Sequence, residues 1–142
     1  MKRSLLFFAV FLAGCATTQS LPVEDRSRTY DLDYDFVFDA TVQMLAEQGF
    51  AIIDAEKDEG IINTDFRLES SFLSFLSGGP TRLKVSALVS NAPNGTRVLL
   101  NFDLQDVEDD VRGVYSSRSL TPRAARRYYR DFFGLLGDYL AQ

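Results

Sequence analysis

Few side chains in this sequence are spaced for chemistry, and those that are suggest covalent modification and charge recognition rather than catalysis. Cys15 is the only cysteine, and histidine is absent. The lack of histidine excludes Ser-His-Asp and Cys-His catalysis together with the commonest zinc ligand. Asp31, Asp33 and Asp35 are spaced like the opening of an EF-hand calcium loop. The sixth position, however, is Phe36 where glycine is needed, and the twelfth is Val42 where glutamate is needed. An acidic cluster at a helix N-terminus accounts for the three aspartates instead. Asp106, Glu108, Asp109 and Asp110 form a second acidic group, but no glycine shapes a loop among them, so they read as a solvated bend. No G-x-S-x-G, Walker loop or Gly-rich dinucleotide turn occurs. With 20 acidic residues scattered along 142 positions, no pair stands out for acid–base work. No enzyme activity, no catalytic residue, no metal and no cofactor are expected.

Cys15 sits in an informative context. Lys2 and Arg3 give a positive start, residues 5–13 are continuously apolar, and small residues stand at Ala13 and Gly14. That order is the plan of a secretory signal peptide. The apolar run is too short to span a bilayer, which takes about 20 residues. The tetrapeptide Leu12-Ala13-Gly14-Cys15 resembles the lipobox of bacterial lipoproteins. The resemblance implies cleavage between Gly14 and Cys15, a diacylglyceryl group on the Cys15 thiol, and acylation of the new amine. One acyl chain holds a protein to a membrane only marginally, whereas two or more hold it stably. Aspartate after the cysteine is the retention signal for the inner membrane. Ala16 stands there instead, which favours the periplasmic face of the outer membrane in a host that has one.

Loss of residues 1–14 takes away Lys2 and Arg3 and lowers the formal charge from −5 to −7. An acidic domain of this kind is a poor match to nucleic acid, whose binding needs a basic footprint. With Cys15 acylated no thiol is left for a disulfide, so packing alone must stabilise the fold. Residues 16–28 (ATTQSLPVEDRSR) are polar without an apolar period and read as a flexible tether. The expected organisation is a signal peptide over 1–14, lipidated Cys15 and tether over 15–28, and one α+β periplasmic domain over 29–142.

Within that domain, residues 29–32 suggest a short strand. In DYDFVFDATVQMLAEQG, Val37, Ala40, Thr41, Met44 and Leu45 fall on one helical face. Asp33 is placed to cap this helix and Gly49 to end it, which predicts a helix over 34–48. The β-rich runs 50–55 and 61–66 flank Glu56-Lys57-Asp58-Glu59-Gly60, a hairpin turn. A second hairpin is clearer. Leu83, Val85, Ala87 and Val89 alternate with polar residues, as do Val98, Leu100, Phe102 and Leu104, around a turn containing Asn94-Gly95. Residues 111–116 suggest one more strand. Thr121-Pro122 then starts a helix running to residue 140. Tyr128, Tyr129, Phe132, Leu135, Leu136, Tyr139 and Leu140 project to one side of it, and Arg123, Arg126, Arg127 and Arg130 to the other.

Each alternating strand has an apolar face to cover, and two helices can cover it. The fold class expected is α+β: an antiparallel sheet of four to six strands packed on two helices, in the order β-α-β-β-β-β-α. The pattern D-Y-D-F-V-F-D-A…L-A-E-Q-G-F-A-I…E-G-I-I-N-T, two polar-tipped strands and a Tyr/Phe-rich last helix resemble the helix-grip domains of small periplasmic lipoproteins. Lipoprotein C of the outer-membrane β-barrel assembly machinery is one of these. The likeness covers about residues 29–141 and implies a binding or scaffolding role.

Two surfaces follow as candidates for contact. Phe72, Leu73, Phe75 and Leu76 lie in a connection ending in Gly78-Gly79-Pro80. Exposed, they form an apolar patch for a partner or the membrane; folded back, they cap the core. Arg123 and Arg126 sit where the helix dipole opposes a cation, which suggests an external anion such as a lipid phosphate or an acidic partner. A solvated stripe with Arg127–Asp131 pairing is the alternative. The function expected is that of a non-enzymatic envelope lipoprotein that binds another envelope protein. The runner-up is a carrier or sensor of a small apolar ligand or lipid, with residues 72–76 gating a cavity.

Overall fold

The structure is a computed structural model and describes residues 21–69 and 80–142. Cys15 and residues Phe72, Leu73, Phe75 and Leu76 lie outside that range. In chain order, a 3-10 turn at Val23–Arg26 leads into β1 (Ser27–Tyr30), α1 (Tyr34–Glu47), β2 (Ile52–Glu56) and β3 (Ile61–Thr64). β4 (Arg67–Glu69), β5 (Thr81–Ala92), β6 (Gly95–Asp109), β7 (Val114–Ser117) and α2 (Pro122–Leu140) follow.

The β5–β6 hairpin is the spine of the sheet. Its strict alternation lets Leu83, Val85, Ala87 and Val89 stand opposite Leu104, Phe102, Leu100 and Val98 on one face. Each long strand is flanked by two short ones. β3 and β4 pair with successive parts of β5, and β1 and β7 with successive parts of β6, all antiparallel. β2 completes the sheet beside β3, so β2 and β1 form opposite edges. The expected α+β architecture is the observed one, with seven strands among the described residues. The count exceeds four to six because β4 (Arg67–Glu69) forms within the stretch read as a connection up to Pro80, where β5 offers it an edge to pair with.

The β2–β3 turn closes tightly against β5. Gly60 has φ +74°, and a Cβ there would meet the Val89 carbonyl oxygen at 2.0 Å. The Val89 N–H donates to the Gly60 carbonyl at 2.8 Å, so the turn is stitched to the spine through a backbone that only glycine can bring so close.

α1 forms as its sequence predicts, with the Asp33 side chain accepting from the Asp35 N–H and Val37, Ala40, Thr41, Met44 and Leu45 buried. α2 begins with Thr121 as cap and Pro122 in the first turn. Its buried face differs from the projected one. Phe133 is buried at 2 % exposure while Leu135 is left 44 % exposed. The helix is rolled so that Phe133 faces β1, where Arg28 lies over its ring at 5.5 Å and the Tyr30 hydroxyl reaches its carbonyl at 3.4 Å. The acidic stretch around residue 106 is also not a bend. β6 runs through Asp109, and only the turn after it is free of pairing.

The largest correction concerns the segment read as a tether. From residue 21 onward it belongs to the domain. Leu21 is 5 % exposed in the core, the Arg26 guanidinium donates through Nε to the Leu21 carbonyl at 3.1 Å and through Nη1 to Asn101, and Ser27 and Arg28 pair with Leu99 and Val98. One buried leucine, the Arg26–Asn101 contact, the Asp25–Arg126 ion pair and the β1–β6 ladder dock a segment whose composition is polar. Leu21→Ala is therefore expected to lower unfolding stability by about 2–3 kcal/mol. Chemical denaturation checks this, and a change within about 0.5 kcal/mol would mean that the segment is not packed.

Candidate anion-binding groove

β1 is the edge strand on which α2 leans, and the line where they meet is a groove. Its volume is about 1070 Å³. Glu24, Asp25, Ser27 and Arg28 form one wall, and Thr121, Arg123, Ala124, Arg126, Arg127, Arg130 and Phe133 form the other. Five arginines thus face two carboxylates in a chain whose formal charge is −5.

The four arginines singled out from helical spacing do converge here, because positions 123, 126, 127 and 130 repeat at the i, i+3, i+4, i+7 period of one helix face. Their partners are specific. Arg126 Nε meets Asp25 Oδ2 at 2.8 Å, tying α2 to the turn before β1. That pair is 58 % and 31 % exposed and contributes about 0.2–1 kcal/mol. Arg126 therefore does gain a local anion, contrary to the expectation that it gains none. Asp131 serves Arg127 at 3.8 Å, the i, i+4 pair that the sequence suggests, and Arg130 at 3.3 Å. Arg123 makes no ion pair among the described residues. Arg28, which sequence reasoning missed, joins them from β1. Nothing local marked it, since its neighbours on α2 are 95 or more positions away in the chain.

Aromatic packing of α2 against β6 fixes the helix that carries four of these arginines. Phe102 of β6 packs against Tyr128, Tyr129 and Phe132 with ring centroids 4.9, 4.5 and 5.3 Å away. Burial pushes the Tyr30 hydroxyl up from 10.0 to about 12, although neighbouring Arg28 pulls it down. Burial raises Tyr128 as well, helped by the Glu69 carboxylate beside it.

Among the described residues, other titratable side chains form ion pairs that tie elements together. Glu69 is 7 % exposed, pairs with Arg67 Nη2 at 2.8 Å and accepts from the Tyr128 hydroxyl at 3.3 Å, which ties β4 to α2. Arg67 also donates to the Gln48 carbonyl at the end of α1 and lies 4.2 Å over the Phe50 ring. Asp35 and Asp39 share Lys57 at 4.0 and 2.6 Å, while Asp106 pairs with Arg118 at 3.2 Å and Asp109 with Arg112 at 3.4 Å. Among the described residues no group of carboxylates is arranged to hold a metal, and no helix is long and apolar enough to cross a membrane. Cys15, expected to be lipidated, and Phe72, Leu73, Phe75 and Leu76, expected to make contacts, lie outside the described residues.

No family model matches the chain, and no curated protein matches it. Among solved structures it is similar to a DUF4468 family protein from Bacteroides ovatus ATCC 8483. The two are 14 % identical over 86 % of this chain and 90 % of that one, with a TM-score of 0.49.

The tyrosines beside the groove give the fold a defined alkaline limit. The folded chain keeps a proton on Tyr30 up to about 12, whereas the unfolded chain releases it near 10.0. The folded state therefore binds more protons in that window, and stability present below pH 10 is lost as pH rises through it. Tyr30→Phe should make the fall of unfolding free energy between these pH values shallower, with the other buried tyrosines supplying the rest. An unchanged slope would show that Tyr30 is not held protonated.

Proposed function

We propose that this chain is a non-enzymatic, lipid-anchored envelope protein whose α+β domain is a binding or scaffold module on the periplasmic face of the outer membrane. The signal-like start and the Leu12-Ala13-Gly14-Cys15 motif support the anchor. One structural observation carries the reading furthest: Leu21, six residues beyond Cys15, is buried in the core. A chain of six residues spans at most about 20 Å. A domain packed so soon after a modified cysteine is held against the bilayer surface, where its work must be done. The carrier reading needs an apolar cavity, whereas the groove beside α2 is lined by charge. The geometry therefore favours recognition of an anionic surface or partner over enclosure of an apolar ligand.

The anchor is tested by metabolic labelling with palmitate. The mature chain is expected to carry label and to sediment with membranes, and Cys15→Ser to carry none. A mature wild-type chain without label, or one recovered free of membranes, would contradict the reading.

A further inference from the structure

Building on the anchored reading above, we propose that the groove between β1 and α2 docks the phosphodiester headgroups of an anionic bilayer and so decides which edge of the sheet faces the membrane. Its charge is the first reason. Five arginines outnumber Glu24, Asp25 and Asp131: Asp25 and Asp131 serve Arg126, Arg127 and Arg130, while Arg28 and Arg123 make no ion pair among the described residues, which leaves the groove net positive even with Glu24 on its wall. The guanidinium fork suits phosphate oxygens, and the N-terminal turn of α2, which lines the groove at Thr121, Arg123 and Ala124, adds the favourable end of its dipole.

Extent is the second reason. Arg123 and Arg130 stand seven residues apart, about 10 Å along the helix axis. Such a row is longer than one phosphate group and matches several headgroups lying in a plane. Position is the third. The wall formed by Glu24, Asp25, Ser27 and Arg28 starts three residues after Leu21, so the anchor presents this edge to the surface. Screening limits attraction to about 8 Å at physiological salt, a range in which only groups brought to the surface contribute. The fourth is the opposite edge. There the β2–β3 hairpin carries Asp54, Glu56, Asp58 and Glu59 against Lys57 alone, and an anionic surface repels it. Acyl chains with a basic patch are a two-signal attachment: the lipid holds and the arginines orient.

The chain contains no tryptophan, so one can be introduced as a donor. Val23→Trp places it beside the groove and Ile53→Trp on the far edge, both at exposed positions. The full lipidated protein is reconstituted into phosphatidylcholine vesicles carrying a dansyl-headgroup lipid, with or without phosphatidylglycerol. Energy transfer from position 23 should rise with phosphatidylglycerol, collapse in about 1 M salt, and stay low from position 53 throughout. Each of Arg123→Gln, Arg126→Gln and Arg130→Gln should weaken the docked state about fivefold, and the three together about a hundredfold. Transfer that ignores lipid charge, or that is stronger from position 53, overturns the proposal without any arginine variant. So does arginine-dependent binding of free glycerol phosphate or an acidic peptide with no response to the vesicle. Palmitate labelling with charge-blind transfer refutes the docking alone. Absent labelling, with arginine-dependent transfer from the unmodified full chain added to the same vesicles, refutes the anchor alone.

Discussion

The contact of Phe102 with Tyr128, Tyr129 and Phe132 is what the rest of the molecule depends on. Phe102 stands on the longest strand, opposite Val85, and its ring meets three aromatic side chains of α2. Each such pair contributes about 0.5–1.5 kcal/mol beyond the area it buries. More important than the sum is the geometry. Three rings converging from one helix fix its roll about its own axis. With that roll set, the 3.6-residue period carries Arg123, Arg126, Arg127 and Arg130 to the side facing the turn at Val23–Arg26 and β1.

Charge then follows topology. The sheet order places β1 at one edge and β2 at the other. The basic face of α2 lies over the first and the acidic hairpin forms the second. A chain with a formal charge of −5 thus keeps, among the described residues, a groove in which arginines outnumber carboxylates, lined by Glu24 to Arg28 shortly after Leu21. Under the proposed anchor, the same short connection that holds the domain near a bilayer also selects the edge that meets it.

Much of this fold is legible in the sequence. The alternation around Val85 and Phe102 specifies the central hairpin because one face must be buried and the other solvated. Asp33 and Thr121-Pro122 mark helix starts through local hydrogen bonding and fixed φ, which need no tertiary context. The parts that were hidden depend on long-range contacts. The segment Leu21–Arg28 has the composition of a tether, and its docking rests on contacts far away in the chain: buried Leu21, Arg26 reaching Asn101 75 residues away, Asp25 meeting Arg126, and β1 pairing with β6. β4 is three residues long and exists only because β5 offers it an edge. Arg28 joins the groove through the pairing of β1 with β6, a register that no local pattern encodes. On α2 the projection chose Leu135 where the fold buries Phe133, because the helix is packed from β1 as well as from the sheet centre.

That roll is also the point most open to direct measurement. Cys15 is the only native thiol and can be changed to alanine, so single cysteines placed at 133, 135 and 136 report on α2 alone. The packing described here requires rapid thiol modification at 135 and protection at 133 and 136 in the native protein. Protection at 135 with rapid modification at 133 would mean that α2 is turned about its axis, that its arginines do not face the N-terminal segment, and that the groove does not exist as described.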